Sequence, residues 1–181
     1  LEGFYAADSG EIFVGGAPIS QLSNHDLRGK LSYIPQDAQL SSGTIAQNVA
    51  LSQAKLDAVR VQDCLDQASL CLESDTPVGE GGSGLSGGQA QRGSIARALY
   101  RDAPVYLLDE ATSSLDSATE KQLQHTIDTV LRGKTVLVIA HRFTAVAHMD
   151  RVYCMENGRV VEQGTVKELL SRDSLLRQMA Q

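Results

Sequence analysis

Val105-Tyr106-Leu107-Leu108-Asp109-Glu110 is an unbroken run of apolar and aromatic residues closed by two acids. A run of this length with no polar alternation reads as a strand buried on both faces of a parallel sheet. Asp109 and Glu110 then stand at the strand's carboxyl end, where open α/β sheets place their ligands. Phosphoryl transfer uses two acids of this kind: one holds Mg²⁺, usually through its water shell, and the second orients the attacking water. Neighbouring side chains on a strand point to opposite faces, but the chain turns at a strand terminus and both can reach one site. Taken alone, the pair reads equally as the acidic cap of a following helix.

Downstream, Ser117 with Glu120 three residues later forms a capping-box pattern that opens a helix to about Leu131. Thr135–Ala140 is a second apolar run, expected as a second buried strand, and it ends in His141. Strand, helix and strand make a βαβ unit, and each strand delivers a polar residue to the same sheet edge. Arg151–Met155, Asn157-Gly158 and Arg159–Val161 read as a hairpin, because Asn-Gly suits a type I′ turn. Val166–Leu170 and Ser174–Met179 read as closing helices.

Upstream, Leu85-Ser86-Gly87-Gly88-Gln89 has its own mechanics. Ser86 and Gln89 fit a capping box, so a helix begins there. The paired glycines leave amides uncovered at the positive end of that helix, which suits an anion, and Ser86 adds a hydroxyl donor. Further upstream, Leu31-Ser32-Tyr33-Ile34 is a short strand stopped by Pro35, with Gln36 at its exit. From about Thr44 to Arg101 the apolar spacing is helical, carried by Ile45, Val49, Leu56, Val59, Cys64, Leu65 and Ala68. Gly10–Val14 with Gly15-Gly16 reads as a strand and turn returning at Pro18-Ile19, ahead of a short helix at Asp26–Arg28.

Leu85–Gln89 followed by Arg92, Ile95, Ala96, Arg97, Ala98 and Leu99, then Leu108-Asp109-Glu110 and Ser114-Leu115-Asp116, resembles the ATP-binding-cassette (ABC) ATPase domain, more closely the exporter type. The resemblance implies an α/β fold: a P-loop NTPase-like, mostly parallel sheet core with an inserted α-helical subdomain. On that pattern residues 1–43 are core with the glutamine loop, 44–104 the helical signature lobe, and 105–181 core again. The resemblance assigns Glu110 and His141 to catalysis, with His141 on the γ-phosphate, and Asp109 and Gln36 to Mg²⁺. Leu85, Ser86, Gly87, Gly88 and Gln89 would cover the γ-phosphate of ATP held by a second copy, in a head-to-tail dimer whose two sites are coupled through Asp116. Thr76–Gly82 looks like the exporter loop that meets the transmembrane partner, with Glu80 as the contact; a plain glycine-rich linker is the other reading. ATP hydrolysis would then drive transport from the cytoplasmic face of the membrane.

A phosphate-binding loop, G-x-x-x-x-G-K-[ST] between a strand and a helix, is not in these residues. Gly133-Lys134-Thr135 fails because position 128 is Asp and because a helix precedes it and a strand follows. Gly29-Lys30 fails because Leu31 follows. The resemblance places the true loop upstream of Leu1, so the fold is expected to lack its N-terminal part. The 181 residues alone are then expected to bind ATP poorly and not to hydrolyse it usefully, while the parent protein does both. Ala90 and Gly93 depart from the larger or charged residues usual in the family; Gly93 within a helix costs about 0.5–1 kcal/mol relative to Ala.

Composition narrows the alternatives. The formal charge of −6, the lack of Trp and an aromatic content of 4% argue against a duplex-binding or base-stacking surface, so no nucleic-acid partner is expected. Cys64, Cys71 and Cys154 are too scattered for a disulfide framework or zinc cluster and fit a reducing compartment. No apolar run approaches the ~20 residues that span a bilayer, and a soluble domain is expected. A soluble ABC-type ATPase acting on DNA would need a long coiled coil, for which Thr44–Arg101 has no room. A truncated cassette that folds and dimerises without catalysis is the other alternative; nucleotide-dependent dimerisation separates it from the motor.

Overall fold

The computed structural model describes residues 1–51, 56–111 and 117–180, with backbone only at 117–119, 122 and 123. It divides into two compact units, Leu1–Leu137 and Val138–Gln181.

The first unit opens with a two-residue antiparallel ladder, β1 (Phe13–Val14) on β2 (Ala17–Pro18). Helix α1 (Asn24–Gly29) starts where the Ser23 side chain accepts from the Asp26 amide, and it drops Leu27 onto Val14, Leu31 and Leu107. Strand β3 (Leu31–Ile34) ends at Pro35, which cannot continue a ladder. Strand β4 (Gly43–Thr44) leads into helix α2 (Ile45–Val49), and helix α3 (Ala58–Gln67) follows, capped by Asp57. Strand β5 (Pro77–Val78) then returns to pair with β4. The stretch expected to be helical thus contains a short ladder, and the Ile45 and Ala46 amides donate to the carbonyls of Thr76 and Ser74, which satisfies the open start of α2.

Helix α4 (Gly87–Arg101) is the spine of this unit. Its buried side, which includes Ile95, Ala98 and Leu99, packs against α2, α3 and β3, and the Ser32 hydroxyl donates to the Ala98 carbonyl at 3.2 Å. Strand β6 (Val105–Asp109) pairs in parallel with β3, and Tyr106, Leu107 and Leu108 are buried as the apolar run requires. Helix α5 (Ser117–Thr129) leads to β7 (Thr135–Ile139), which closes a sheet of order β3-β6-β7. β7 is not buried on both faces: Leu137 is 43% and Ile139 52% exposed. Among the described residues it is the terminal strand of that sheet, and an apolar run does not distinguish a central strand from a terminal one.

The second unit holds α6 (Phe143–Val146), a hairpin of β8 (Val152–Glu156) and β9 (Arg159–Gly164), α7 (Val166–Leu170) and α8 (Leu175–Met179). The hairpin turns on Asn157 (φ 49°) and Gly158 (φ 74°), the left-handed pair a type I′ turn needs. Val152, Leu169 and Leu176 form its core, with Phe143, Val146 and Met179 packed around them.

Candidate active site

Strands β3 and β6 run side by side with Ile34 opposite Leu108, so both release their next residues at one sheet edge. On β6 those residues are Asp109, the last of the strand, and Glu110. Glu110 has φ of 46°, a left-handed backbone that few residues other than glycine adopt. The turn swings its carboxylate out of the strand's alternation, so the two acids need not point to opposite faces. On the β3 side the chain passes through Pro35, and the Gln36 amide nitrogen donates to the Glu110 carboxylate at 3.0 Å. Gln36 and the Asp109-Glu110 pair, far apart in the sequence, thus lie at one sheet edge, with Gln36 bonded to Glu110.

Tyr33 joins them unannounced. Its hydroxyl donates to Asp109 Oδ2 at 3.2 Å. Partial burial, then the charge of Asp109, pushes the phenol above its ordinary pKa and keeps the donating proton in place. Parallel register explains the contact: Tyr33 is opposite Leu107, and Asp109 lies two residues on, on the same face of the sheet. Gln91 is the second unforeseen residue. It is buried on α4 and donates from one amide nitrogen to the carbonyls of Pro35 (3.0 Å) and Ala111 (3.2 Å). A glutamine four and seven residues ahead of buried Ile95 and Ala98, on one helix face, is the signal that could have exposed it.

The helix start at Leu85–Gln89 is built as the spacing requires. The Ser86 hydroxyl accepts from the Gln89 amide at 3.2 Å, and the Gln89 carboxamide oxygen accepts from the Ser86 amide at 2.8 Å. Gln89 is thereby committed to the cap, whereas Ser86 keeps its hydroxyl proton for an outside acceptor. A side chain at Gly87 would meet nothing within 4 Å, so the glycine is not a packing device; it leaves the first amides of α4 open. Glu80 is exposed on a single 3₁₀ turn, Glu80–Gly82, immediately after β5. His141 is exposed in the second unit, between β7 and α6. Asp116 lies outside the described residues.

A family model described as ABC transporter matches residues 1–113. The chain belongs to the ABC transporter family. Among curated ABC relatives it is 43% identical, over 97% of its length, to an ATP-dependent lipid A-core flippase of Ralstonia nicotianae. It is 44% identical, over 95% of its length, to one of Saccharophagus degradans. The chain spans 31% and 30% of those two proteins. A bacterial Atm1-family ABC exporter solved with ATP bound superposes at a TM-score of 0.94 with 36% identity, covering 99% of this chain and 33% of that one. The α/β architecture is therefore that of an ABC exporter's nucleotide-binding part, and the match covers nearly every residue. No helix among the described residues is long and apolar enough to cross a membrane.

Proposed function

We propose that these 181 residues belong to the ATP-hydrolysing motor of an ABC exporter. The observation that carries this reading is the pairing of the Gln36 amide with the Glu110 carboxylate beside Asp109, at the carboxyl ends of two parallel strands. Glu110 orients the attacking water and takes part of its developing positive charge. His141 contacts the γ-phosphate, and the open amides of Gly87 and Gly88 with the Ser86 hydroxyl cover the γ-phosphate bound by a second copy.

The donors also fit Mg²⁺. Asp109 and the Gln36 carboxamide are hard oxygen ligands, and Mg²⁺ retains several waters, so two protein ligands suffice. Asp109 would hold it with one oxygen while Tyr33 occupies the other. Mg²⁺ there supplies charge neutralisation of the phosphates. Asp116 couples the two sites of a head-to-tail dimer, residues 44–104 form the helical lobe, and exposed Glu80 meets the transmembrane partner at the cytoplasmic face. The relatives' names make an amphipathic lipid the first cargo to try.

The test uses the full-length protein in lipid nanodiscs. Glu110→Gln should lower Mg²⁺-dependent ATP turnover by on the order of 100-fold or more while a fluorescent ATP analogue still binds. Turnover that survives Glu110→Gln would overturn the assignment.

A further inference from the structure

Gln91 is 1% exposed, and its carboxamide nitrogen donates both protons, one to the Pro35 carbonyl at 3.0 Å and one to the Ala111 carbonyl at 3.2 Å. Neither carbonyl is remote from the chemistry. Pro35 directly precedes Gln36, and Ala111 directly follows Glu110. The Gln36 side chain in turn donates to the Glu110 carboxylate at 3.0 Å. A closed ring results: from the Gln91 amide through Pro35 to Gln36, across to Glu110, and through Ala111 back to Gln91.

Two further features give the ring consequences. Glu110 is held at φ 46°, and a residue with a side chain stays in that region only when its surroundings over-determine it. A bond to the very next carbonyl is such a constraint. Gln91 also sits on α4 five residues beyond Ser86, a rise of about 7.5 Å along one rigid helix. Any displacement of the Ser86 end is thus delivered, through one buried amide, to the backbone on both sides of the site. The chemistry is exacting. Asn falls one methylene short, Met has the length but no protons, and Glu presents oxygens to two carbonyls.

Resting on the reading of Glu110 given above, we infer that Gln91 is a positioning residue for ATP hydrolysis: it holds Glu110 in the posture that orients water and links that posture to the signature helix. The experiment uses the full-length protein in nanodiscs, with Gln91→Met and Gln91→Glu made alone and together with Glu110→Gln. Sites are counted by titration with a fluorescent ATP analogue, which is also a readout independent of turnover. Both single variants should lower kcat per titrated site on the order of 10- to 100-fold, with KM for ATP and analogue affinity changed less than about twofold. In the Glu110→Gln background, adding either substitution should leave the residual single-turnover rate within about twofold, because the effect runs through Glu110. A merely structural role would reduce the number of titratable sites and leave kcat per site intact, and that result overturns the inference; the second variant serves if the first does not fold. If Glu110→Gln itself leaves turnover unchanged, the site assignment fails first; if only the Gln91 variants are silent, this inference alone fails.

Discussion

The hydroxyl of Tyr33 is a small contact with a specific consequence. It occupies one oxygen of Asp109 and so fixes which way the carboxylate faces. Partners of this kind, one step behind a ligand, are typically worth 10- to 100-fold in metal affinity or activity. Tyr33→Phe should therefore raise the Mg²⁺ concentration needed for half-maximal turnover about tenfold, while ATP-analogue binding in the presence of chelator stays as in the wild type. Cys64 makes a second prediction at this scale. Burial pushes its thiol from 9.0 up to about 11, whereas Cys71 is exposed. Because the folded chain holds the proton more tightly than the unfolded one, the stability tied to this thiol is complete below pH 9 and is lost as pH rises toward 11. A thiol reagent at pH 8 should modify Cys71 and spare Cys64, with labelling of Cys64 beginning only above pH 9 or on unfolding. Asp109 and Glu110 stood out in the sequence because they close an apolar run, and Gln36 through its likeness to the family's glutamine loop ahead of a helical stretch; the contact between Gln36 and Glu110 is what the structure adds. Tyr33 and Gln91 did not stand out, since their partners come from strand register and from backbone carbonyls, which no local pattern records.

Among the elements, α4 agrees most closely with its sequence, down to the reciprocal cap between Ser86 and Gln89. Its interior glycine has a reason that propensity alone hides. A Cβ on Gly93 would lie 3.2 Å from Leu40 Cδ1 and 3.8 Å from Leu70 Cδ2, so the missing side chain lets two leucines pack against the helix backbone. Gly93→Ala should then be close to neutral, with a helix gain of about 0.5–1 kcal/mol offset by crowding of a flexible leucine. Gly93→Leu should destabilise by about 1–3 kcal/mol, read as a fall in thermal midpoint relative to Gly93→Ala. β7 shows the opposite case. Its composition announced a strand but not its place in the sheet, because what covers a strand is decided by neighbours far away in sequence. β4 and β5 were missed for a related reason: two residues each give no periodicity, and the pair exists only because Thr44 and Pro77 meet.

For the whole molecule, the proposed head-to-tail dimer raises the question of which chain supplies each half of a site. The fold and its family were legible from motifs that are contiguous in sequence, whereas the proposed shared site would be a property of two chains. Suppose Glu110 and Asp109 act on ATP held by their own protomer, while Ser86 acts on ATP held by the other. A dimer with Glu110→Gln in one full-length chain and Ser86→Arg in the other then carries both defects in the same site and keeps its second site whole. Placing both substitutions in one chain and leaving its partner wild type spoils both sites, one through each change. If Ser86 instead served its own protomer, the two outcomes would exchange. Mixed dimers isolated through two different affinity tags should therefore retain measurable ATP turnover in the split arrangement and lose it in the single-chain arrangement. The arginine is chosen because its side chain would occupy the space over the open amides of Gly87 and Gly88 that the γ-phosphate is to enter.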